Sequence, residues 1–338
     1  MERFVLKRRV IIAAGIGSFA AIIGRHAIKH TGKQYLPNFA QPPLQDAAAC
    51  ANESLGESRF AEENALENAF SRFAAVGDVG TGQSAQYKVS RAMLSRWCAE
   101  PFGNVLLLGD NIYENGEIEK VTSAFERPYA DLLEKGVKFN AALGNHDFRT
   151  HEGSDQVAYS GYNMPGRYYS FSQQEDTPRS VQFFALDTNQ YYLDHHENRN
   201  NSSTDEETLW AQQRRWLETE LKQSVASWKV VFAHHPIYSS GRHGSDEELA
   251  SSLTPLFKAY GVQLYINGHD HNYERTQPID GTTYITSGNG AKLRPTGRES
   301  WTAYASSQLG FTAFDVYADR IVIKAIDVDN NIYDESQI

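Results

Sequence analysis

Five short stretches end in residues able to bind a metal: Gly77-Asp78-Val79-Gly80, Gly109-Asp110-Asn111-Ile112-Tyr113, Gly144-Asn145-His146-Asp147, Val231-Phe232-Ala233-His234 and Gly268-His269-Asp270-His271. Asp78, Asp110, Tyr113, Asn145, His234, His269 and His271 together offer carboxylate, phenol, amide and imidazole, the oxygen and nitrogen donors of hard and borderline metal ions. Each stretch is weak alone. A Gly-Asp after an apolar run is ordinary turn chemistry, and a lone histidine at a strand end is more often a hydrogen-bonded core residue than a ligand. Their joint occurrence carries the reading. His269 and His271 are two apart, so an extended backbone points both the same way, toward neighbouring ions, and Gly268 lets the chain come close. At His234-His235 successive side chains diverge if the strand continues, so one of the two is expected to face the site. Asp147, Asp270 and Asn272 read as supporting or turn residues rather than ligands. His235, His151, His195 and His196 receive no role.

An apolar run precedes most of these stretches, and the runs alternate with helical patterns. Strands are expected at Phe73–Gly77, Val105–Leu108 and Phe139–Leu143, with helices at Ser84–Ala99 and Ile118–Leu133 between them. Further strands fall at Val181–Leu186, Trp228–Ala233 and Val262–Ile266. Helices fall at Glu206–Leu221, where Leu209, Trp210, Gln213, Trp216, Leu217 and Leu221 share a face, and at Glu247–Tyr260. Such repeats imply an α/β fold of parallel βαβ units, which would gather the five stretches on one edge of a single parallel sheet. Thr283–Thr286, Phe311–Tyr317 and Arg320–Ile326 read as late antiparallel strands. Asp194–Thr208 is a long polar interval, expected to be a loop.

The chain has 338 residues and a formal net charge of −10. Residues 1–33 hold seven Lys/Arg against one Glu, a net of +6, which leaves −16 on the remainder. An acidic body excludes a nucleic-acid backbone as partner, and any anionic substrate must be attracted locally. Arg3, Lys7, Arg8 and Arg9 precede an apolar run at 10–24, shorter than a spanning helix and interrupted by glycines. Residues 1–33 therefore read as an export signal of twin-arginine type, with an uncleaved membrane tether through 10–24 as the alternative. The protein is expected to be exported, either periplasmic, extracellular or anchored facing outward. Residues 34–71, with Pro37, Pro42 and Pro43, read as a linker, and 72–338 as the catalytic domain. Cys50 and Cys98, the two cysteines, could pair or remain free thiols.

The motif set resembles that of the metallophosphoesterase superfamily, and within it the small, mammalian-type, tartrate-resistant purple acid phosphatases. Superfamily members generally carry Asp-x-His in the first motif and Gly-Asp-x-x-Asp in the second. Here Gly80 stands where the histidine would be and Tyr113 where the second aspartate would be, the two changes that mark purple acid phosphatases. The resemblance runs from about Arg72 to about Asp327 and takes in Tyr168-Tyr169, Leu186-Asp187-Thr188 and the Trp216-Leu217 helix. It implies an αββα sandwich of two mixed β-sheets flanked by helices, with a dimetal site at strand C-terminal ends. Metal one would take Asp78, Asp110, Tyr113 and His271, a donor set suited to Fe(III). Metal two would take Asp110, Asn145, His234 and His269, suited to Fe(II), Zn(II) or Mn(II). His146 and His243 match the family's two histidines that grip phosphate and assist the leaving group. The implied activity is acid hydrolysis of small-molecule phosphate monoesters by metal-activated hydroxide, in a monomer coloured by phenolate-to-iron charge transfer. In the family a loop between the Asp-Thr motif and the Trp-Leu helix restrains activity, and Asp194–Thr208 occupies that interval.

Other readings fare worse. Gly77 to Ser84 imitates a phosphate-binding loop, but Gln83 replaces the required lysine. A phosphodiesterase or nucleotidase would share the metal chemistry, and Gly80 and Tyr113 count against it. A non-catalytic exported iron-binding or redox protein would have no need of both His146 and His243.

Overall fold

The computed structural model describes Cys50 and residues 68–174, 179–197 and 208–338, without the side chains of 195–197. The expected export signal or anchor at 1–33 and most of the expected linker at 34–71 lie outside the described residues. From the N-terminal side, β1 (Ser71–Val76) leads through α1 (Ser84–Ala99) to β2 (Asn104–Leu108), and a short α2 (Ala130–Glu134) precedes β3 (Lys138–Ala142). After α3 (Ser154–Ala158) come β4 (Tyr169–Gln173), β5 (Val181–Ala185), α4 (Asn189–Glu197), α5 (Leu209–Gln223) and β6 (Trp228–Phe232). The remainder is α6 (Glu247–Tyr260), β7 (Leu264–Asn267), β8 (Tyr273–Thr276), β9 (Thr283–Ser287), β10 (Thr302–Ser306), β11 (Gly310–Val316), β12 (Ile321–Asp327) and β13 (Ile332–Gln337).

The strands form two mixed sheets, in the orders β13-β12-β11-β1-β2-β3 and β10-β8-β9-β7-β6-β5-β4. In the first, β1, β2 and β3 are parallel and β11 joins β1 antiparallel. In the second, β5, β6, β7 and β9 are parallel, flanked by antiparallel β4 and β8. This corrects the expectation of one parallel sheet: the five motifs leave β1, β2 and β3 of one sheet and β6 and β7 of the other. It also corrects β9, which pairs parallel with β7 and antiparallel only with β8. The two-sheet sandwich implied by the resemblance is the fold observed.

Period-two burial explains the layering. Phe183, Val230, Leu264 and Ile266 point into the core between the sheets, while Phe184, Val231 and Tyr265 point outward to a second cluster with Trp210, Leu217, Leu249, Leu253 and Phe257 of α5 and α6. In the inner core Phe73 meets Phe183 edge-on at 4.9 Å and stacks on Phe314 at 4.4 Å. Burying such a side chain contributes about 1.5–3 kcal/mol. α6 has the bounds its spacing predicts, because Asp246 caps it by accepting from the Leu249 N–H and Gly261 ends it in the left-handed conformation.

Other elements differ from expectation for visible reasons. The helix expected over Ile118–Leu133 breaks into a 3-10 turn, a wide turn at Thr122–Glu126 and α2. Pro128 lacks the amide proton a continuous helix needs, and the Arg127 N–H reaches back to the Thr122 carbonyl instead. α5 begins at Leu209 rather than Glu206, with the Thr208 hydroxyl accepting from the Ala211 N–H. The polar interval at 194–208 is not a loop from its start, since α4 runs to Glu197; residues 198–207 lie outside the described residues. Of the strands the sequence does not announce, β4, β10 and β13 are sheet edges, half exposed and correspondingly polar. Cys50 and Cys98 are joined in a disulfide, with Cα atoms 5.3 Å apart.

Candidate metal centre

Strand ends create the site by turning sharply. Asp78, Asp110 and His269 adopt φ of 59°, 55° and 70°, a left-handed backbone that is costly for residues with a Cβ and collects at functional sites. The turns interlock across β1 and β2: the Gly80 N–H donates to the Asp110 carbonyl at 3.1 Å, and the Tyr113 N–H to the Gly80 carbonyl at 2.8 Å. Gly80 is packed so closely that a Cβ there would collide with the Asn111 backbone. A histidine at this position is therefore sterically excluded. Gly268 brings the second sheet in the same way, passing against Asp78 Oδ2 and the Leu108 carbonyl.

All seven expected donors converge, in two groups. In the first, the Tyr113 hydroxyl donates to Asp78 Oδ1 at 3.0 Å, and His271 Nε2 lies 3.3 Å from that oxygen and 3.4 Å from the phenol. In the second, Asn145 Oδ1 lies 3.0 Å from His234 Nε2 and 3.1 Å from His269 Nδ1, with the two imidazole nitrogens 3.1 Å apart. Asp110 joins them: its Oδ1 is 3.5 Å from His234 Nε2, and donor atoms of Asp78, Asp110 and His234 lie within 4.8 Å of one another. The Nδ1–H of His234 donates to the Leu108 carbonyl at 2.9 Å, which directs the Nε2 lone pair inward.

Electrostatics leave this cluster short of positive charge. Burial is the largest influence on Asp78 and pushes its carboxyl up, but the His271 hydrogen bond and the charges of His234 and His271 outweigh it and leave the group lowered. Burial, with Asp78 and Asp110 beside it, raises the Tyr113 phenol far above its usual range. Burial and the neighbouring imidazoles push His269 well below its usual value, so the ring is neutral and open to a cation. A phenol held this way ionises only in exchange for a strongly charged cation, and the donor set fits one.

Supporting groups fix these side chains. Asp147, buried, accepts from the N–H groups of Gly144 at 2.8 Å and of Asn111 and Ile112 at 3.0 Å, tying the second motif to the third. Asp270 Oδ1 accepts from the His243 N–H at 3.2 Å, and its Oδ2 from the Ser239 hydroxyl at 2.6 Å. The His146 N–H donates to Asp110 Oδ1 at 2.9 Å, and His146 Nδ1 lies 2.6 Å from the Glu114 carbonyl. The His243 ring packs on His269 with centroids 4.0 Å apart. His151 is exposed and paired with Asp155, and the side chains of His195 and His196 lie outside the described residues.

Three residues escaped the sequence reading. β6 stops at Phe232, so His234 and His235 sit in a turn and do not diverge; the His235 ring lies 4.9 Å from that of His234 and 4.7 Å from that of His269. Its Nδ1 is 2.7 Å from Thr188 Oγ1. Lys292 and Arg294 arrive from the segment after β9: Lys292 Nζ stands 3.3 Å from the Tyr113 ring centroid, and Arg294 Nη1 donates to His243 Nε2 at 2.6 Å. Two cations at i and i+2 in an acidic body were the available signal. Beside the second donor group opens a cavity of about 420 Å³, lined by Asn145, His269, His243, His235, Tyr192 and Asp246 among others.

Residues 71–273 match the family described as calcineurin-like phosphoesterase. Tartrate-resistant acid phosphatase type 5 of Homo sapiens is 31% identical over 250 residues, covering 67% of this chain and 75% of that one. Purple acid phosphatase 17 of Arabidopsis thaliana is 30% identical over 200 residues, 56% of this chain, and the match spans 58% of that protein's length. Among solved structures, GAP50, titled the anchor in the inner membrane complex of Plasmodium, superposes with a TM-score of 0.68 at 23% identity, covering 79% of this chain and 88% of that one. That likeness is one of fold.

Proposed function

The chain belongs to the calcineurin-like phosphoesterase family, in its purple-acid-phosphatase-like branch, and from that premise we propose that it hydrolyses small-molecule phosphate monoesters as an acid phosphatase. It is a metal-dependent phosphomonoesterase with a binuclear centre. The observation that carries the reading is the sharing of Asp110 between the Asp78–Tyr113–His271 group and the Asn145–His234–His269 group. We assign Fe(III) to Asp78, Asp110, Tyr113 and His271, where anionic oxygen dominates, and Fe(II), Zn(II) or Mn(II) to Asp110, Asn145, His234 and His269.

When bound, the two ions supply Lewis-acid stabilisation of the phosphoryl oxygens and an ionised water at acidic pH. The chain's own residues do the rest. Asp110 sets the spacing of the two donor groups. His146, with Nδ1 held by the Glu114 carbonyl, presents Nε2 3.9 Å from Asp110 Oδ2, where it can hold a proton for the leaving oxygen. His243, fixed by Asp270 and Arg294, grips phosphate.

We further assign catalysis to a monomeric domain at 72–338, preceded by an export signal or anchor at 1–33. Among the described residues no helix is long and apolar enough to cross a membrane. The deciding experiment compares p-nitrophenyl phosphate with its bis ester on purified protein of known metal content. Faster turnover of the monoester is expected; preference for the diester would make the chain a phosphodiesterase, and turnover of neither would remove the catalytic reading.

A further inference from the structure

The protein outside its first 33 residues carries a net charge of −16, so its overall field repels anions and attraction must be local. Local cations are present, on the irregular segment Lys292-Leu293-Arg294 after β9. Both turn toward the metal centre, Lys292 on the Tyr113 side and Arg294 on the His243 side. Their charges are used differently. Lys292 is neutralised by Glu114, 3.1 Å away, and rests on the Tyr113 ring. Arg294 is half-buried, yet among the described residues it makes no ion pair with a carboxylate. Its side chain donates one hydrogen bond, to His243 Nε2 at 2.6 Å. Its backbone is pinned as well, the N–H donating to the His271 carbonyl at 2.8 Å and the carbonyl accepting from Ser307 at 2.7 Å.

A partly buried guanidinium with most of its five donors idle is costly unless it meets an anion. Arg242, exposed beside His243, likewise makes no ion pair among the described residues. The scissile phosphate already has the binuclear centre to meet its charge. Arg294 stands one ring beyond that centre, since it touches His243 and His243 packs on His269 at 4.0 Å. We propose that Arg294, with Arg242, reads a second negative charge on the substrate, so that the preferred phosphomonoesters are those whose leaving group is itself anionic. This rests on the phosphatase reading and adds the class of leaving group. Arg294 acts by charge-assisted hydrogen bonds and Arg242 as a longer-range attraction at the rim.

The test uses the full metal-loaded protein with phenyl phosphate, 4-carboxyphenyl phosphate and 1,4-phenylene bisphosphate, which separates a carboxylate from a phosphate as the second anion. Arg294→Gln is expected to lower kcat/KM for at least one charged substrate about 10- to 100-fold more than for phenyl phosphate, mainly through KM. Arg294→Lys should fall between wild type and Arg294→Gln. Arg242→Gln, an exposed substitution that spares the fold, should show the same selectivity loss at about 3- to 10-fold. Added salt should narrow the wild-type preference. Equal losses on all three substrates, or no loss on any, overturn the proposal, the first by placing Arg294 on the scissile phosphate or on His243 alone. Wild-type protein that turns over none of the three would instead overturn the phosphatase reading.

Discussion

The phenol of Tyr113 donates a hydrogen bond to Asp78 Oδ1 at 3.0 Å, joining the end of β1 to the turn after β2 in the interior of the molecule. Two groups that would both be anionic as ligands share one proton there. With an ion in place that proton must leave, because phenolate and carboxylate then face the same charge.

Tyr113→Phe is therefore expected to keep the fold and lose the visible absorption band of the iron-loaded protein. The ring is buried and the substitution removes only the oxygen, so packing is preserved. The absorption spectrum decides it: a variant that keeps its band would show that Tyr113 is not the chromophore.

Asp110→Asn strikes both donor groups at once, since this carboxylate lies between them. Metal analysis should find both ions depleted, and activity should fall about 100-fold or more. If only one ion is lost, Asp110 is not the shared ligand.

His146→Ala leaves every assigned ligand in place. Metal content should stay at the wild-type level while kcat falls about 10²- to 10⁴-fold, the range expected for loss of a positioned proton donor. Unchanged kcat would take His146 out of the mechanism.

Asp270→Asn tests positioning rather than chemistry. The carboxylate holds both the His243 backbone and Ser239, so its neutralisation should destabilise the fold by about 1–3 kcal/mol, read as a lowered Tm. It should also raise KM more than it lowers kcat, because His243, which we propose grips the phosphate, loses its anchor. A variant with wild-type Tm and KM would show that this loop holds itself.

Much of the centre was legible from local residues because its donors end or follow apolar runs. A strand that stops at Leu108 or Asn267 leaves its next residues at the sheet edge, and the glycines at 80 and 268 mark where backbones meet. Helix α6 was legible to the residue from its cap, its apolar period and its terminal glycine. The edge strands β4, β10 and β13 were not, because half their surface faces solvent and their alternation is correspondingly faint.

Residue identity and spacing alone thus marked the candidate donors and the α/β class, since strand ends and period are local properties of the chain, while their division into an oxygen-rich and a nitrogen-rich group came with the family resemblance. Only the tertiary structure decided that the donors come from two sheets, that His235 turns inward, and that Arg294 reaches His243. Those depend on how far β6 runs before it turns and on where the segment after β9 is carried. Such placements are set by contacts between residues distant in sequence, and no local pattern records them.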